Sequence, residues 1–132
     1  MGEVRVLLDT HAALWWLFDD PRLPTGARAL ITDRRNEMLI SAASAWEIAT
    51  KHRLGKLQCA REPVKDMPGW FRQARFTELP VTVAHAQQAG SWTQPHRDPF
   101  DRMLAAQSML EAVPLISRDQ TFAAFGVALV WR

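Results

Sequence analysis

The chain has 132 residues, one domain's length, and its 48% hydrophobic and 23% charged content supplies a core, which excludes disorder as the main state. The longest apolar run, Ala12 to Phe18, is seven residues, far short of the roughly 20 that span a bilayer. The start lacks a signal-peptide stretch, Val6 stands where a myristoylated Met1-Gly2 start wants Ser or Thr, and the lone Cys59 forms no internal disulfide, so a cytoplasmic protein with no membrane partner is expected.

In chain order, Val4 to Leu8 reads as a buried strand ending at Asp9. A helix over Thr10 to Phe18 is stopped by Asp19-Asp20-Pro21. Pro24-Thr25 opens a helix to about Arg34, and Met38 to Ile40 is a second strand. Ser41 caps a helix from Ala42 to His52, which Gly55 closes. Pro63 to about Ala74 is predicted as one further helix, Thr77 to Leu79 as a short strand, and Thr82 as the cap of a helix to about Ser91. Asp98-Pro99 opens a helix to Glu111, with Pro in its first turn. Val113 to Ser117 is a strand, a short helix starts at Gln120, and Val127 to Trp131 is the last strand. Strands that alternate with helices and are nearly continuous in apolar residues predict a mainly parallel sheet covered on both faces.

Ligands of such sheets bind beyond the carboxyl ends of the strands, and acidic residues recur there. Asp9 follows the first strand and Asp119 the Val113 strand. Glu47 lies on the helix after the Met38 strand, and Asp98 and Asp101 share a face at a helix start. Each has an ordinary explanation alone: capping for Asp9 and Asp119, a solvated face paired with Lys51 for Glu47, and the helix dipole for Asp98 and Asp101. Together they point to a carboxylate cluster that stays ionised around hard cations. Oxygen-only donors, with no Cys or His at zinc spacing, favour Mg²⁺ or Mn²⁺ and metal-assisted phosphodiester cleavage.

Leu7-Leu8-Asp9-Thr10-His11, Ser41 through Ile48, His96-Arg97-Asp98-Pro99-Phe100-Asp101-Arg102 through Gln107, and Leu115-Ile116-Ser117-Arg118-Asp119 resemble the successive motifs of the PIN domain, above all its VapC-type toxin branch. The resemblance runs through essentially the whole chain. It implies a three-layer α/β/α sandwich and a metal-dependent endoribonuclease, the toxin of a type II toxin–antitoxin pair. The implied partners are an RNA substrate and a cognate VapB-type antitoxin, and the implied assembly is a homodimer. Asp9, Glu47, Asp101 and Asp119 match the four acidic positions, which would hold Mg²⁺ or Mn²⁺. Asp98 is an extra acid that caps, binds metal through water, or holds Arg102. Thr10 and Ser117 would orient the acids or a water.

Two other readings compete. A Mg²⁺-dependent phosphatase of the haloacid-dehalogenase type also carries an Asp after strand one, but wants a second Asp where His11 stands. A non-catalytic PIN-like binding module is favoured by loss of the acids, and all four are present. The four histidines are scattered and read as packing or surface residues, with substrate contact as the alternative for His96, which lies just before the acidic helix. Trp15 and Trp16 read as core or interface, with base stacking as the alternative. The Trp-rich helices near the N-terminus are expected to carry the dimer contact. Among the flanking bases, Lys51 and Arg118 are expected to face the cleft. With five acids neutralised by bound cations, sixteen basic residues face nine acidic ones, so RNA should meet a basic protein.

Overall fold

The computed structural model describes residues 3–96 and 98–132; Met1, Gly2 and Arg97, including the last residue's place in the third motif, lie outside the described residues. Among the described residues, five strands form one all-parallel sheet in the order β3-β2-β1-β4-β5, with β1 Arg5–Leu8, β2 Glu37–Ser41, β3 Phe76–Leu79, β4 Leu115–Ile116 and β5 Leu129–Val130. Six α-helices among the same residues accompany them: α1 Thr10–Leu17, α2 Thr25–Thr32, α3 Ala42–Arg53, α4 Met67–Gln73, α5 Val83–Ser91 and α6 Pro99–Leu110.

Alternation along the strands splits the core in two. Val6, Leu8, Met38, Ile40 and Ile116 point to one face and pack against α1–α4 through Ala13, Ala27, Ile31, Ile48 and Phe71. Leu7, Leu39, Leu79 and Leu115 point to the other, against Leu104 and Ala105 of α6 and against Phe122 and Phe125. α5 then packs on α6. The result is three layers, α/β/α, as expected. The two C-terminal strands are shorter than predicted, yet the ladder runs past them: Leu7 N–H donates to Pro114 O, Asp9 N–H to Ile116 O and Ser117 N–H to Val130 O.

The single helix predicted over Pro63 to Ala74 is corrected. Pro63–Lys65 is one 3₁₀ turn, and α4 starts afresh at Met67. Asp66 separates them because its carboxylate caps the Gly69 N–H at 3.1 Å and Pro68 sits in the first turn, where no donor is needed. A further 3₁₀ turn over Gln58–Arg61 was not expected from the sequence. The N-terminal helices, expected from sequence to carry a dimer contact, turn most of their apolar side chains inward. Ala12, Ala13, Leu14 and Trp15 are internal, and of this helix and its cap only Phe18 is an exposed large apolar side chain. Further large exposed apolar residues lie on α3, α5 and α6, among them Trp46 at 63% exposure, Val83, Met109 and Leu110.

Gly26 is fixed by a close approach. The Arg132 carbonyl accepts from Ala27 N–H at 2.7 Å, and a Cβ on Gly26 would stand 2.3 Å from that same oxygen.

Candidate active site

The sheet order reverses direction between β1 and β4, the switch point at which open α/β sheets place their ligands. Asp9 and Asp119 leave the carboxyl ends of these two strands. Both serve as helix caps, so the ordinary explanation holds for each and does not exclude a second role. Asp9 accepts from Ala12 N–H at 2.7 Å, and Asp119 from Thr121 N–H at 2.9 Å and its hydroxyl at 2.7 Å. Their surroundings set them apart. Burial pushes the Asp9 carboxyl above its ordinary pKa, although the Ser117 hydroxyl and the Ala12 amide pull the other way. For Asp119, burial also raises the pKa but the Thr121 hydroxyl and amide outweigh it, so this carboxyl ends below its ordinary value. The Ser117 hydroxyl also accepts from Asp119 N–H at 3.0 Å, so one side chain braces both strand ends.

Glu47 does not lie on a solvated face: only 3% of it is exposed. Ser44 and Glu47, one turn apart on α3, both meet Thr10 of α1. The Thr10 hydroxyl donates to the Glu47 carboxylate at 2.5 Å and lies 3.0 Å from the Ser44 hydroxyl. Lys51, four residues on, holds the other Glu47 oxygen at 2.5 Å. Burial works against the Lys51 charge, but Glu47 more than compensates, and the Lys51 pKa is raised.

Asp98 and Asp101 open α6. Asp98 caps it, accepting from Phe100 N–H at 2.9 Å and Asp101 N–H at 3.3 Å. Asp98 does not hold Arg102, one of the roles open to it from sequence. The Arg102 guanidinium instead turns back into the α5–α6 connection and donates to the carbonyls of Ala89 at 2.7 Å, Trp92 at 2.6 Å, Gln94 at 2.9 Å and His96 at 2.8 Å. Folded around this cation, the connection places His96 Nε2 2.9 Å from Asp101 Oδ2. Burial pushes Asp101 up to about 6, with the neighbouring charges of Asp98 and Glu47 adding to the rise and His96 opposing it. From sequence, His96 reads as a packing or surface residue with substrate contact as the alternative, and its contact with Asp101 is not expected. Its signal was a place five residues before Asp101, across a helix cap.

Asp9, Glu47, Asp98, Asp101 and Asp119 therefore line one cavity of about 140 Å³, with Lys51, Thr10, His11 and the buried Phe122 completing its walls. The structure brings all the sequence-predicted acids and Thr10 to this wall, with Ser117 just behind it. As the side chains stand, no three His, Cys, Asp or Glu residues among those described are gathered tightly enough to hold an ion. Glu47 is paired with Lys51 and Asp101 with His96. The chemistry of the set fits a hard divalent cation nonetheless. The donors are all oxygens, and the buried acids with raised pKa are those whose ionised form a cation would restore.

The PIN domain model matches residues 6–128. Among curated proteins, the chain is 44% identical over 69 residues to "Ribonuclease VapC16" of Mycobacterium tuberculosis (strain ATCC 25618 / H37Rv), a match covering 49% of each chain, so it spans about half the length of that relative. It is 27% identical over 115 residues to "Ribonuclease VapC22" of the same organism, covering 87% of each. The fold is similar to that of VapBC2 from Rickettsia felis bound to a promoter DNA fragment, with TM-score 0.70, 13% identity and coverage of 98% of this chain and 100% of that one. It is also similar to M. tuberculosis VapC20, described as a Sarcin-Ricin loop cleaving toxin, with TM-score 0.67, 17% identity and coverage of 96% and 99%.

Proposed function

The chain belongs to the PIN domain family, and from that footing we propose that it is a metal-dependent endoribonuclease, the toxin of a type II toxin–antitoxin pair. The observation that carries this reading is the convergence of acids from four separate parts of the chain, Asp9, Glu47, Asp101 and Asp119, on one small cavity at the sheet's switch point. Asp9, Asp101 and Asp119 would hold one or two Mg²⁺ or Mn²⁺ ions, with Glu47 as a further ligand or as the group that orients the attacking water. Bound there, such an ion supplies an acidified water and charge compensation on the phosphate oxygens. The protein's own part is positional. Thr10 and Lys51 fix the Glu47 carboxylate, Ser117 braces Asp9 against Asp119, and Arg102 sets the connection from which His96 meets Asp101. Lys51 also lines the cavity as a cation that would meet a phosphate oxygen. Water as nucleophile leaves the 2′-hydroxyl intact, so the products carry 5′-phosphate and 3′-hydroxyl ends.

The partner is a VapB-type antitoxin, a segment of which covers the acidic cavity and sets a basic side chain against its carboxylates. The protein acts in the cytoplasm as a homodimer; no helix among the described residues is long and apolar enough to cross a membrane. The exposed Trp46, whose indole meets Phe100 edge-on at 4.8 Å and so joins α3 to α6, favours that face for the dimer over α1 and α2. The test is RNA cleavage with Mg²⁺ or Mn²⁺, with excess EDTA, and in Asp9→Asn and Asp101→Asn. Cleavage should require the metal and vanish in both variants while their circular dichroism stays unchanged. Full activity in EDTA would refute the reading, and a variant at wild-type rate would remove that residue from the site.

A further inference from the structure

A second cavity, of about 300 Å³, adjoins the acidic one and shares Asp9, His11 and Asp119 with it; its remaining walls are Trp15, Arg118 and Trp131. Its chemistry differs from that of its neighbour. Trp15 is a buried floor, and Trp131, half-buried, packs against it with ring centroids 5.7 Å apart. Two guanidinium groups lie over the Trp15 ring, Arg22 at 4.7 Å and Arg118 at 5.0 Å. Arg22 is tied back to Asp20 by contacts of 2.8 and 3.1 Å, whereas Arg118 is exposed. His11 closes the side toward the acids, 5.8 Å from Trp15. Nothing in the proposed hydrolysis uses Trp15, Trp131 or Arg118.

We propose that this cavity is a single-nucleotide subsite, which takes the unpaired base next to the scissile phosphate between the Arg118 guanidinium and the Trp131 indole. The inference rests on the ribonuclease reading and deepens it. Bases that cannot pair seek aromatic faces and guanidinium planes, and a cation–π stack holds the Arg118 plane in place before a base arrives. A volume at the low end for ligand cavities suits one nucleotide and not a duplex. The shared walls at Asp9 and Asp119 make this the next stop for a strand whose phosphate lies among the acids. The site is therefore specific for single-stranded RNA, and Arg118 and Trp131 set which base is accepted beside the cut.

The experiment uses a five-nucleotide RNA carrying 2-aminopurine at one position at a time, bound in Ca²⁺ buffer so that binding is read without turnover. Stacking on the Trp131 indole quenches this base, and Arg118 holds it there. One position should be quenched at least twofold, and the quench should disappear in Arg118→Ala and in Trp131→Leu. Arg118→Ala should also bind the parent RNA about tenfold more weakly, the scale of one lost base stack. Circular dichroism checks Trp131→Leu for folding, and Arg118, being exposed, provides the variant that does not risk it. No quench at any position, equal quench at all five, or a quench that survives both substitutions would overturn the subsite. Parent RNA that shows the position-specific quench but is not cut in Mn²⁺ would instead overturn the ribonuclease reading and leave the nucleotide site standing.

Discussion

Replacing Asp101 by Asn should make the metal-free protein more stable, and the gain should depend on pH. Asp101 is held up to about 6 in the fold, by burial first and then by the charges of Asp98 and Glu47, against an ordinary value of 3.8. Its ionised form is thus disfavoured in the folded state, and the cost is complete above pH 6 and fades as pH falls toward 4. A rise of about two pH units corresponds to roughly 3 kcal/mol at about 1.4 kcal/mol per unit. Water still reaches 22% of the side chain and screens part of the field. Asn also forfeits some of the His96 contact, so about 1–2 kcal/mol is the expected gain at pH 8. For a chain of this length that is roughly 4–7 °C in Tm. At pH 4.5, where the folded carboxyl is neutral and the unfolded one mostly ionised, about a third of the gain should remain. Thermal unfolding of both proteins in EDTA at the two pH values measures it. With Mn²⁺ at pH 8 the order should reverse, since only the wild type gains binding energy in its folded state. A variant less stable than wild type at pH 8 in EDTA, or equally stabilised at both pH values, would refute the electrostatic account of this site.

Arg102→Lys should cost about 2–4 kcal/mol in urea unfolding, because an ammonium cannot reach the carbonyls of Ala89, Trp92, Gln94 and His96 together; a loss under 0.5 kcal/mol would show that the connection holds without the planar fork. Gly26→Ala should cost about 1–3 kcal/mol through the overlap with the Arg132 carbonyl, and an unchanged midpoint would mean that the end of the chain simply moves aside. RNA affinity should fall steeply between low and high salt and be higher with Ca²⁺ than with EDTA, because the empty acidic cavity repels phosphate; filter binding that gives one affinity under all four conditions would separate the basic residues from the site.

Much of this architecture was legible because its signals are local. Val6-Leu7-Leu8 and Met38-Leu39-Ile40 are apolar on consecutive positions, as strands buried on both faces must be, and a carboxylate directly after such a run lands at the sheet's carboxyl edge. Other features depended on contacts that no sequence window contains. The break at Asp66 turns on whether that carboxylate caps Gly69 or faces solvent. The fate of Arg102 was decided by four carbonyls that converge only once α5 and α6 are packed. Trp15 and Arg118, over a hundred residues apart, share a cavity because β1 and β4 are neighbours. The apolar content of α1 suggested an outward face, yet its Ala12, Ala13 and Leu14 turn inward while Trp46, in a less apolar helix, stays exposed.

The strand order also sets a clock on the ribosome. β1, β2 and β3 are consecutive neighbours and can pair as they emerge, but the flank of β1 nearest the acids stays open until β4 arrives. About 110 residues separate Asp9 from Asp119, so at a synthesis rate of about 5–20 residues per second the growing chain carries an incomplete site for roughly 5 to 20 s. Throughout that interval it sits beside ribosomal and messenger RNA without the fourth acid. The proposed nuclease site is therefore kept incomplete by topology alone until Asp119 has been made and β4 has paired with β1, before any inhibitor is bound.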